Sequence, residues 1–160
     1  MIRKVSLDDV PQIAAIYNYY IENTAITFET EKLTDDEMRQ RIAAIAADNP
    51  YFVEDVDGII IGYSYFHRWK EREAYKHSVE TSVYVHPDHH HHGTGRKLMH
   101  ALIDAAKDYD VHCMIACVTC PNEPSENLHH ELGFKQVSLF KEVGKKFGQW
   151  LDVYDFELIL

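Results

Sequence analysis

Between Ser78 and Leu98 the chain reads SVETSVYVHPDHHHHGTGRKL. A β-branched, alternating run is stopped by Pro87; Gly93-Thr94-Gly95 then opens a stretch with Leu98, Leu102, Ile103 and Ala106 on one helical face. A strand that turns through glycine into a helix leaves the first helical N–H groups without internal acceptors. It also sets the positive end of the helix dipole at the corner, a seat suited to phosphate. Arg96 and Lys97 in the first turn oppose that dipole unless an anion is present, so their placement reads as functional. The Gly-x-Gly step alone is a weak motif. No third glycine of a dinucleotide fingerprint follows and no Gly-x-x-x-x-Gly-Lys-Ser/Thr occurs, so Rossmann and P-loop sites are excluded; a plain βα turn is the alternative.

The flanking pattern supplies layers around this unit. Ile2 to Val5 reads as a strand, and Asp8-Asp9 with Pro11 opens a helix carrying Ile13, Ile16, Tyr17 and Tyr20 at helical spacing. Thr34-Asp35-Asp36-Glu37 begins a second helix that closes before Asn49-Pro50. Phe52 to Glu54 and Ile59 to His67 are strands joined at Asp55-Val56-Asp57-Gly58, and His77 to His86 is the strand before the glycine turn. A helix over Gly93 to Tyr109 precedes Val111 to Val118, a nearly all-apolar strand of the kind covered on both faces. Asn122 to Leu132 is a helix stopped by Gly133, and Phe134 to Val143 with Trp150 to Leu158 is a closing antiparallel pair. The order β-α-α-β-β-β-α-β-α-β-β predicts an α+β or mixed α/β layered fold, and 160 residues fit one domain spanning 1–160.

A net charge of −10 excludes a general nucleic-acid binder, which needs a basic face. The N-terminus lacks the apolar stretch of a signal peptide, and the longest aliphatic run, Ile59 to Ile61, is far too short to span a membrane. Three cysteines packed between Cys113 and Cys120 are the usage of a reducing compartment, so a cytoplasmic location is expected. A metal protein is the rival reading of His89 to His92 and Cys117-x-x-Cys120. One Cys-x-x-Cys lacks a second pair, and Cys113 and Cys117 on one face of an apolar strand read as buried small hydrophobes, so no metal site is expected.

Along the central strand Val79, Thr81, Val83 and Val85 point one way and Glu80, Ser82, Tyr84 and His86 the other. Apolar neighbours imply that Glu80 is desolvated, which would raise its pKa toward the range of a general base; an exposed glutamate on a half-solvated strand is the plainer alternative.

The array VETSVYVHPDHHHHGTGRKLMHALI resembles the acetyl-CoA motif of the GNAT N-acetyltransferases, and PNEPSENLHHELGF resembles their later Asn-x-x-Ser helix. WKEREAYKHSVETSVYVHP and VGKKFGQWLDV are similar to the phosphinothricin and methionine sulfoximine acetyltransferase subfamily, in collinear order over most of the chain. The resemblance implies a GNAT fold with a mixed, mostly antiparallel sheet of about seven strands flanked by about four helices. It also implies acetyl-CoA as co-substrate and a homodimer, to which the apolar strand VYDFELIL would contribute. Cofactor contacts then fall on Val83, Tyr84, Val85, His90, His91, His92, Gly93, Thr94, Gly95, Arg96, Asn122 and Ser125. The family's loop usually carries Arg or Gln where this chain has histidines; imidazolium would supply the charge there, making acetyl-CoA binding weaken as pH rises.

The resemblance assigns Glu80 as the base that strips the acceptor ammonium, with the oxyanion met by a strand N–H near Val83. His129 stands where many relatives have the tyrosine that protonates the leaving thiolate and where the subfamily usually has histidine; acting as that acid, hydrogen-bonding the cofactor, and lying on the helix surface beside His130 are the alternatives. Phe28, Trp69, Lys70, Arg72 and Tyr75 match the subfamily's substrate positions and suit a small zwitterionic amino acid with a tetrahedral side-chain head, such as phosphinothricin, methionine sulfoximine or methionine sulfone. A protein N-terminus or a polyamine is the rival acceptor, and a non-catalytic module on the same fold is a further alternative.

Overall fold

The computed structural model describes residues 1–160. Seven strands form one mixed sheet: β1 (Ile2–Lys4), β2 (Tyr51–Val56), β3 (Ile59–Arg68), β4 (Ser78–Val85), β5 (Cys113–Cys120), β6 (Lys135–Lys146) and β7 (Gln149–Ile159). Their spatial order is β1-β2-β3-β4-β5-β7-β6, and every pairing is antiparallel except β4 with β5. Four helices cover it: α1 (Val10–Asn23), α2 (Asp35–Asp48), α3 (Thr94–Ala105) and α4 (Glu123–Glu131).

Local chemistry sets the boundaries. Thr34 caps α2 by accepting from the Glu37 N–H, while the Glu37 carboxylate accepts from the Thr34 N–H at 2.8 Å, a reciprocal box. The β2–β3 turn is tighter than the four residues the sequence indicates. The strands run to Val56 and resume at Ile59, because Asp57 and Gly58 both take positive φ (53° and 85°), the two-residue hairpin geometry. Phe147 and Gly148 do the same between β6 and β7 (φ 52° and 73°), so that hairpin extends to Lys146 and Gln149, beyond its expected ends. The helix expected to run to Tyr109 tightens to a 3₁₀ turn after Ala105.

Each face of the sheet has its own core. Ile13, Ile16 and Tyr20 of α1 and Met38 and Ile42 of α2 pack with Tyr51, Val53 and Tyr63. On the other side Met99 and Leu102 of α3 pack with Phe66, Val79, Met114 and Phe156. Helix α3 seats closely because Gly62 lies beneath it, where a Cβ would come within 2.9 Å of Thr94 Cγ2. Strand β7, expected at an interface through VYDFELIL, lies inside the sheet between β5 and β6, and its Phe156 is fully buried. The edge is β6, which exposes Val137, Leu139, Phe140 and Val143. No helix is long and apolar enough to cross a membrane.

Candidate active site

The parallel pairing of β4 with β5 covers only Ser78 with Cys113, Val79 with Met114 and Glu80 with Ile115. Beyond Glu80 neither strand has the other as its ladder partner, and a cavity of about 260 Å³ lies where they part. Strand alternation makes this opening a passage through the sheet. From the α3–α4 side it is lined by Thr81, Val83 and Ala116 with Asn122, Ser125 and His129. From the α1–α2 side it is lined by Glu80, Ser82 and Tyr84, with Cys117, Thr119 and Phe28 opposite.

Glu80 retains 31 % of its side-chain exposure, so its expected desolvation is only partial: the widening gap that gives it a cavity also admits solvent. His67, its partner on β3, places Nε2 3.9 Å from Glu80 Oε2. Cys117, expected as a buried hydrophobe, is instead exposed to the cavity because β4 no longer covers it. Surrounding atoms and then the carboxylates of Glu80 and Asp155 push its thiol well above the ordinary cysteine range.

His129 is buried, and its Nδ1 lies 2.7 Å from the Ser125 carbonyl. A carbonyl only accepts, so the proton sits on Nδ1 and Nε2 is left with its lone pair. Burial lowers the pKa of this histidine against the opposing pull of the Ser125 carbonyl, which favours the neutral ring. A neutral imidazole held this way accepts at Nε2 rather than donating there, which argues against the thiolate-protonating role. Asn122 caps α4, its Oδ1 accepting from the Ser125 N–H.

The phosphate corner lies where β4 gives way to α3. Helices α2 and α4 have side-chain caps and α1 and α3 do not; α3 alone begins at a glycine, Gly93, with φ 75°. The N–H groups of its first turn remain available to an external acceptor. The local charge conflict read at Arg96 and Lys97 has a different resolution. Arg96 pairs with Glu131, and Lys97 Nζ donates to the buried Glu54 at 2.7 Å. Burial works to raise Glu54, but the Lys97 ammonium bonded to it helps outweigh this, and the carboxyl is held below its ordinary value. His90, expected to face phosphate, directs Nε2 to the Tyr20 hydroxyl at 2.8 Å, tying the loop to α1; His91 and His92 are exposed. Val85 turns its carbonyl toward the same Tyr20 hydroxyl. Nowhere do three His, Cys, Asp or Glu side chains converge as metal ligands.

Of the expected substrate residues, Phe28 lines the cavity and Trp69, Lys70, Arg72 and Tyr75 do not. Their segment folds on itself after β3, with the Lys70 ammonium 4.2 Å from the Trp69 ring centre and Tyr75 packed edge-on against that ring. Sequence reasoning missed Ser82, Cys117, Thr119, Val153 and the Ile26–Thr27 pair. Alternation from Glu80 was signal enough for Ser82; nothing local marks the rest.

Residues 2–154 match the family model described as an acetyltransferase (GNAT) domain. The chain is 39% identical over 153 residues to the L-amino acid N-acyltransferase MnaT of Escherichia coli, covering 95% of this chain and 89% of that protein. The crystal structure of a ribosomal-protein-alanine N-acetyltransferase from Brucella melitensis superposes with a TM-score of 0.98 at 34% identity, covering 100% and 99% of the two chains. A GNAT superfamily phosphinothricin acetyltransferase from Sinorhizobium meliloti, solved in complex with acetyl-CoA, gives 0.96 at 31% identity, covering 100% and 88%. With that match and a sheet parted between its two parallel strands, the chain belongs to the GNAT family of N-acetyltransferases, with acetyl-CoA as co-substrate.

Proposed function

We propose that this enzyme acetylates the α-amino group of a small amino acid of the methionine sulfoximine, methionine sulfone or phosphinothricin type. The observation that carries the reading is the single cavity lined by Glu80 from one face of the sheet and by Asn122, Ser125 and His129 from the other. The thioester supplies the acyl group. On the opposite face Glu80 takes a proton from the acceptor ammonium, directly or through water, freeing the lone pair that attacks the thioester carbonyl. Collapse of the adduct breaks the C–S bond, and the coenzyme A thiolate leaves with the proton shed by the newly acylated nitrogen. Strand β4 has no β5 partner past Glu80, so the Val83 N–H is our choice of donor to the oxyanion. His129 orients through its free Nε2, and the Gly93–Arg96 backbone with Asn122 and Ser125 holds acetyl-CoA in place.

The names of the Escherichia coli and Sinorhizobium meliloti relatives favour an amino-acid acceptor. The Brucella melitensis relative favours a protein N-terminal alanine as the second reading. We further read residues 1–160 as one catalytic unit, cytoplasmic on the strength of three free cysteines and dimeric through the exposed apolar side chains of edge strand β6. Thiol release from acetyl-CoA tests the acceptor. We expect turnover with methionine sulfone, methionine sulfoximine or phosphinothricin and none with spermidine. Turnover confined to an alanine-initiated peptide would replace the first reading with the second.

A further inference from the structure

The tip of the β6–β7 hairpin contributes nothing to the cavity lining, yet it grips the loop that does. A bulge bends β6 between Phe140 and Gly144, with Glu142 at φ 54° and its N–H donated to Asp152 Oδ1 at 2.8 Å. The bend carries Gly144 to Lys146 across to the loop after α1. There Lys146 is buried, and its Nζ donates to the Thr27 carbonyl at 2.8 Å. Burying an ammonium is costly unless it is bonded, so this contact is one the folded hairpin must make. The same loop is held from behind, Thr27 Oγ1 lying 3.0 Å from the Tyr17 hydroxyl and Glu29 pairing with Arg41.

Gly144 does not occupy the left-handed region, so its backbone makes no demand for glycine. Its lack of a side chain has one visible beneficiary. A Cβ there would overlap the Phe28 ring, coming within 2.6 Å of Cζ and 2.8 Å of Cδ2. Phe28 walls the face of the cavity that Glu80 also lines.

We propose that the hairpin tip determines acceptor selectivity, Gly144 and Lys146 acting as positioning residues that set where the Phe28 ring stands. This rests on reading the Phe28 side of the cavity as the acceptor side. The expected signature is a split between the two substrates, because the phosphate corner lies on the other face of the sheet.

The test compares wild type with Gly144→Ala, Phe28→Ala and the double variant, using methionine sulfone and acetyl-CoA. Gly144→Ala should raise the KM for methionine sulfone about tenfold, the scale on which a displaced pocket wall acts, with the acetyl-CoA KM unchanged. In the Phe28→Ala background the same substitution should have no further effect, since the two act as one unit. Equal losses in both backgrounds, or an acetyl-CoA KM rising in step, would overturn the proposal. A readout free of turnover is the fluorine resonance of 4-fluorophenylalanine placed at position 28. It should shift in Gly144→Ala and move toward an averaged position in Lys146→Met, with Lys146→Arg returning it. A resonance unmoved in both Gly144→Ala and Lys146→Met sinks the inference even if methionine sulfone is turned over. A moved resonance with no amino acid turned over upholds the positioning and removes the acceptor reading instead.

Discussion

At the proposed cofactor end the chain offers backbone from one contiguous stretch, Gly93 to Arg96, with no side chain capping the helix. At the proposed acceptor end it offers side chains gathered from four distant segments around Phe28, Glu80, Cys117 and Val153. A cradle of N–H groups survives a change of neighbouring side chains, which explains how histidines replace the family's usual Arg or Gln. A wall of side chains has no such tolerance. On the proposed reading, the first end would suit any acetyl-CoA user and the second would decide what is acetylated.

The largest test of this contrast is Glu80→Gln. Turnover should fall about a hundredfold or more, the usual worth of a positioned base, while the acetyl-CoA KM stays put. A fully active variant would strip Glu80 of its role. Next comes Gly93→Val, which forces a β-branched residue to φ 75° at a strain of about 1–2 kcal/mol. If that strain is relieved by moving the turn, the acetyl-CoA KM should rise about tenfold with the acceptor KM unaffected. The smallest effect is expected from His91→Asn with His92→Ala, asparagine being chosen because position 91 has φ 67°. Exposed charge pairs are worth about 0–1 kcal/mol, so acetyl-CoA affinity by calorimetry should fall less than about fivefold. A larger drop would mean that imidazole side chains, rather than backbone, carry the cradle.

The same contrast explains what the sequence made legible. Gly93 to Arg96 and the Asn122 cap are local: the residues that define them are neighbours in the chain, and alternation around Glu80 named the face it shares with Ser82 and Tyr84. The element order was readable for the same reason. Pairing was not. That β7 inserts between β5 and β6 depends on a crossing no local pattern records, so the apolar β7 looked like an interface strand. Cys117 looked buried because its strand is apolar, and only the parting of β4 from β5 after Glu80 exposes it. His90 looked like a phosphate ligand because its partner, Tyr20, lies on the first helix. Lys70 and Arg72 looked like a carboxylate clamp, but neither lines the cavity, and Lys70 lies over the Trp69 and Tyr75 rings of its own loop.

The break between β4 and β5 also bears on the order of events in a catalytic cycle. Its two mouths open on opposite sides of one sheet, so neither substrate stands in the other's doorway. If the two substrates take the two mouths as proposed, random rather than ordered kinetics are expected, with the free thiol and the acylated amine each inhibiting competitively against its own precursor.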